Sequence, residues 1–160
     1  MLSDTTYYLK FEEAKKALRT AEHMVYITYP LLKENRLLLK ALEEIYLAVK
    51  IAIDLILKRE YELKRIKIYS DSKTNMVIFE QKCALRYNFI AEEIEGIKRI
   101  INLFERHKLS PMEFARHNKL IIMSDDLRTE SITLPILKNM LSIAKKVVRK
   151  TENSLIVKDI

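Results

Sequence analysis

Apolar residues recur at alternating intervals of four and three along most of this chain. Tyr7, Phe11, Ala14, Leu18, Ala21 and Val25 form one such seam, which predicts a first helix over 4–28. Pro30 predicts its end, because the residue before a proline is pushed out of helical geometry. Leu38, Leu42, Ile45, Val49, Ala52, Ile56, Leu63 and Ile66 predict a second and longest helix over 31–68. Asp71 or Ser72 then caps a third, 73–87, with Met76, Phe79, Cys83 and Tyr87 on its apolar side. Asn88 reads as the cap of a fourth, 90–108, along Ile90, Ile94, Ile97, Ile101 and Phe104. Thr133 caps the last helix, tolerates Pro135 in its first turn, and turns Leu137, Leu141, Ala144 and Val148 inward.

Two stretches break this rhythm. "SPME" at Ser110–Glu113 matches a capping box with proline at the first helical position, and predicts a short helix. "KLIIMSDDLRTESIT" has no helical seam, and reads as a hairpin of 119–124 with 128–132, although Asp125-Asp126 is an imperfect hairpin turn. "ENSLIVKDI" reads as a frayed tail or an edge segment. The expectation is an all-α fold: one domain, 1–160, an antiparallel bundle of about five helices with a small β-hairpin before the last.

The stretch "IYLAVKIAIDLIL" at 45–57 tests a membrane alternative. A span needs about 20 apolar residues. Extending this one brings in Lys40, Glu43 and Glu44 beside Lys50 and Asp54, each costing roughly 2.5 to 3.5 kcal/mol at a bilayer centre. Spanning is therefore rejected. At about 100° per residue, Arg36, Glu43, Lys50 and Asp54 fall on one stripe, so the pair reads as a solvated edge of a core helix. The rest of that helix is apolar and needs cover on several sides. A homodimer is one source of it.

Composition agrees with helices: 160 residues hold one glycine and three prolines, too few for the tight turns of a β-rich fold. Gly96 sits inside the fourth helix at a cost of about 1 kcal/mol relative to alanine, for which close approach of another backbone is one reason. Cys83, the single cysteine, lies on an apolar face and reads as packing. A lone thiol and no signal-like opening suit a cytoplasmic protein.

The formal charge of +7 admits nucleic acid or another anion as partner. Basic residues at the end of the second helix, Lys58 to Lys67, complement its macrodipole without any ligand. The richest cationic stretch is "RHKLSPMEFARHNK". Arg106, His107, Lys108, Arg116, His117 and Lys119, with Arg128 of the hairpin, are the candidate anion- or nucleotide-binding set, helped by backbone N–H groups after Ser110. Arg19 and His23, one turn apart, allow a smaller shared surface site, and Tyr7, Tyr8, Tyr26 and Tyr29 are candidates to stack on a base. No metal cluster, nucleophile triad or phosphate-binding glycine loop is legible, and no cofactor is expected.

The segments "EEAKKALRTAEHM", "LLKALEEIYLAVKIAIDLIL" and "LPILKNMLSIAKKVV" together resemble the HEPN superfamily, and small archaeal proteins of similar pattern. That resemblance implies a small helical bundle that dimerises, and either a ribonuclease or a partner of a nucleotidyltransferase. The ribonuclease branch carries an arginine and a histidine with four to six residues between them. Upstream of His23, His107 and His117 those positions hold Lys16, Ala17 and Leu18; Ile100, Ile101 and Asn102; and Ser110, Pro111 and Met112. The implied role is therefore non-catalytic: binding a nucleotide or RNA, or partnering a nucleotidyltransferase-type enzyme. The alternative is a structural, self-associating module with no nucleic-acid ligand.

Overall fold

A computed structural model describes residues 4–110, 112–116, 119–124 and 126–156. The first seam is buried over its whole length, Tyr7 to Val25, and winds α1 (Asp4–His23). The helix does not stop at Pro30. It passes through a π-helical turn, Met24–Thr28, into α2 (Tyr29–Leu32). In a regular α-helix a proline lacks its N–H and clashes with the carbonyl one turn back. The wider turn, closed by the Tyr29 N–H on the Met24 carbonyl, accommodates it. Lys33, left-handed at φ 52°, then reverses the chain.

The central helix, α3 (Arg36–Glu62), is shorter than the periodicity predicts. Lys64 takes φ 61°, the Arg65 N–H bonds the Glu60 carbonyl at 3.0 Å, and the Lys64 N–H bonds the Tyr61 carbonyl at 2.9 Å. These are the two bonds of a Schellman stop, here with lysine where glycine is usual. Leu63, expected on the seam, is 40% exposed for this reason. Within the chain α1, α5 (Ala91–Leu109), α6 (Leu134–Leu155) and the π-helical turn Phe79–Cys83 all pack on α3. These elements cover the apolar circumference of α3 on several sides. Lys50 and Asp54 face solvent and pair at 2.8 Å, as the stripe predicts, an interaction worth a few tenths of a kcal/mol.

Asp71 accepts from the Lys73 and Thr74 N–H groups and caps α4 (Ser72–Ile78), which runs into the π-helical turn. Asn88 is not a helix cap. At φ 64° it closes the turn before Phe89, and α5 (Ala91–Leu109) starts after Ile90, whose N–H donates to Glu93. Glu93 is buried, which raises a carboxyl's pKa, but Lys150 Nζ at 2.6 Å and the Ile90 N–H outweigh burial and hold it below its usual range. Gly96 is buried against the Ile143 side chain rather than another backbone.

The predicted short helix after Ser110 is instead a strand. β1 (Met112–Arg116), β2 (Lys119–Met123) and β3 (Thr129–Ile132) form an antiparallel sheet in that order, Arg116 opposite Lys119 and Leu120 opposite Ile132. Strand pairing sets five residues of β1 in register against β2, whereas a capping box contributes about 1 kcal/mol. The hairpin of the sequence pattern is thus two strands of a three-stranded sheet. Leu120, Ile122 and Ile132 are buried, and α6 (Leu134–Leu155) follows. The architecture is mostly all-α: five helical rods and one small sheet among the described residues. No helix among them is long and apolar enough to cross a membrane.

Candidate functional site

The cationic connection is largely neutralised by its neighbours. Arg106 pairs with Glu130 at 3.2 Å, and Arg128 with Asp126 at 3.1 Å. His107 lies between Glu113, 2.5 Å from Nδ1, and Glu43, 3.5 Å from Nε2. Lys108 Nζ sits 5.4 Å above the Phe104 ring. With β1 in place of a helix, there is no helix N-terminus at Ser110 to offer N–H groups to an anion. His117 lies outside the described residues. Arg116 and Lys119 are different: both are exposed, neither has a carboxylate partner among the described residues, and they face each other across the strand pair.

The concavity nearest the rest of this set is also wrong for an anion. A groove of about 1150 Å³ between α5, α6 and the sheet contains Arg106, but five carboxylates line it against three cations. One of them, Asp126, is held below the usual carboxylate range by hydrogen bonds from the Ser124 hydroxyl and the Arg128 N–H. A slot of about 240 Å³ between α3, α4 and α5 has charges in balance, including the Lys50–Asp54 and Lys98–Glu80 pairs.

A third concavity, of about 730 Å³, is cationic. It opens where the α2 reversal, the start of β2 and the start of α6 meet, and its lining includes Tyr29, Lys33, Lys119, Thr133, Leu134 and Pro135. No carboxylate lines it among the described residues, and neither lysine has an ion-pair partner there. Thr133 accepts from the Ile136 N–H at 3.4 Å and caps a 22-residue helix; Pro135 has no N–H, so this end offers an anion the positive field of the helix dipole rather than a set of free backbone donors. Tyr29 is only 5% exposed, and its phenolic oxygen has no hydrogen-bond partner among the described residues. A buried hydroxyl left unpaired costs about 1–3 kcal/mol.

Of the predicted site residues, the structure therefore brings Lys119 to this place, with Arg116 opposite it in register. Arg106, His107, Lys108 and Arg128 point to other partners. Lys33 was not legible as a site residue, because nothing in its own neighbourhood sets it apart; Tyr29 was read as a candidate to stack on a base and Thr133 as a helix cap, but not their proximity. Among the described residues no three His, Cys, Asp or Glu side chains gather as metal ligands. Cys83 is buried, and burial, with Glu60 nearby, pushes its thiol up to about 11, so it is not a ready nucleophile. No family model matches the chain, and neither a curated protein nor a solved structure matches it.

Proposed function

We propose that the chain is a non-catalytic helical bundle that binds a nucleotide or RNA by a phosphate at the N-terminus of α6. One observation carries this: Lys33 and Lys119 flank the positive end of a long helix, with no carboxylate in the described lining. Lysine serves there as a point charge, and the helix end adds a directional field. The resemblance to the HEPN superfamily supports the same ligand class, and alone supports a nucleotidyltransferase as partner.

The test is a salt titration of binding to uridine 5′-monophosphate and to short oligo-uridylates. Each lost phosphate contact flattens the log–log slope by about 0.7 on single strands, so Lys33→Gln/Lys119→Gln, which removes the one phosphate held there, flattens it by about 0.7. Tyr29→Phe leaves binding unchanged and raises the stability of the protein by about 1 kcal/mol, because it removes an unpaired buried hydroxyl that no ligand touches. Lys58→Gln/Lys82→Gln removes two exposed charges that line none of these concavities, and leaves the slope unchanged. Equal losses from the two double variants mean diffuse attraction to the +7 surface, and defeat the proposal.

A second reading, self-association, is favoured by a different observation. Tyr26, Ile27, Leu31 and Leu32 are each half or more exposed on consecutive turns at the end of the first rod, the kind of apolar run that marks an interface. Light scattering at tens of micromolar checks it: a dimer that Leu31→Glu/Leu32→Glu dissolves is the expected result, and a wild-type monomer rules it out.

A further inference from the structure

Lys16, Arg19 and His23 recur at intervals of three and four on the outward side of α1. With Thr20, Met24 and Thr28 of the same rod, and Leu37 at the start of α3, they line a separate concavity of about 470 Å³. No carboxylate lines it among the described residues, and none of the three basic residues has an ion-pair partner there. This distinguishes them from Lys15, the next residue along, which Glu152 holds at 2.5 Å.

The histidine is also positioned. Thr28 Oγ1 lies 2.9 Å from His23 Nδ1. Residues five apart point away from each other on a regular α-helix, whose turn is about 3.6 residues. The wider π-helical turn at Met24–Thr28 brings them together. Engaging Nδ1 leaves Nε2 for a ligand oxygen. Met24 and Leu37 give the groove an apolar side, so its chemistry is that of a phosphate carrying a less polar group.

Thr28 of this groove and Tyr29 of the α6 site are consecutive residues, so the two concavities flank the same end of the first rod. His23 and Tyr29 are separated by about 9 Å of helix axis, at about 1.5 Å per residue. A stacked strand, at ~3.4 Å per phosphate, covers that with about three nucleotides. We propose that the α1 groove holds a second phosphate of the same ligand, which makes that ligand a single-stranded polynucleotide rather than a mononucleotide. This rests on the reading of the α6 end as a phosphate site.

Fluorescence anisotropy with labelled oligo-uridylates of increasing length, competed by uridine 5′-monophosphate, separates the two claims. The octanucleotide is expected to bind at least about ten-fold tighter than the mononucleotide, with a salt slope steeper by about 0.7 for each added phosphate contact. Lys16→Gln/Arg19→Gln is expected to abolish that gain while leaving mononucleotide binding unchanged; both side chains are exposed, so the fold tolerates the change. No gain with length, or a gain that survives in this variant, overturns the second site and leaves the α6 site standing. Loss of mononucleotide binding in the same variant also overturns it, because the groove is then part of the first site. Absence of binding to any of these ligands overturns both.

Discussion

Glu60→Ala is expected to lower stability by about 3 kcal/mol, read as a fall of roughly 6–12 °C in melting temperature for a chain of this size. The carboxylate is fully buried at the end of α3, and holds three groups. Arg86 Nη1 donates to Oε1 at 2.8 Å, Arg65 Nη1 to Oε2 at 3.3 Å, and Tyr87 lies within hydrogen-bonding reach. Burial in the first place, then Glu60 itself, pushes the Tyr87 phenol well above its usual range, so it stays a neutral donor. Alanine leaves that buried hydroxyl without its acceptor, and frees two arginines to repel each other. The arginines are each about half exposed, at 47% and 46%, so solvent recovers part of their loss, and the estimate sits at the low end for a broken buried pair. Arg86→Ala is therefore expected to cost distinctly less. A urea denaturation series decides it: a loss below about 1 kcal/mol for Glu60→Ala shows that the cluster is not what closes the α3 end.

Gly96→Ala is expected to destabilise by about 1–3 kcal/mol, although alanine is the better helix former by about 1 kcal/mol. A methyl group there meets Ile143 Cδ1 in overlap, and lies 2.9 Å from its Cγ2. Ile143 is 7% exposed between α5 and α6, with little room to turn. Its terminal carbon moves by rotation about χ2, whereas Cγ2 moves only by rotation about χ1, which a helix restricts strongly for a β-branched residue. In an Ile143→Ala background the sign reverses: both clashing atoms are gone, the new methyl fills part of the hole, and Gly96→Ala stabilises. The double-mutant cycle reads the coupling directly. A stabilising effect in the wild-type background means that α5 and α6 separate easily here, and the steric account fails.

How much of this was readable in advance divides by range. Every member of the first apolar seam is buried, and so are Leu137, Leu141, Ala144 and Val148 of the last, since a one-sided stripe at helical period has only one way to leave water. The Lys50–Asp54 edge was legible for the same reason. The fourth helix was placed correctly but rotated slightly: Ile97, Ile100 and Leu103 face the core, and Ile90 is exposed. Several isoleucines in succession allow more than one stripe, and neighbouring helices chose between them. At Ser110 a local capping signal competed with strand pairing to residues further along the chain, and lost.

The candidate site shows the same division more sharply. The sequence by itself determined the long helices, the inward faces of the first and last of them, the excess of basic residues and the caps at Asp71 and Thr133, because each depends on groups within a few residues of one another. Which cations remain free was decided only by the tertiary structure. Glu43 reaches His107 from another helix, Glu130 reaches Arg106 from the sheet, and Lys33 and Lys119 meet at the start of α6 from distant parts of the chain. A charge's partner is set by distance in space, and Coulomb attraction carries no record of sequence order. Lysines that look alike along the chain thus become neutralised pairs in one place and a cationic concavity in another.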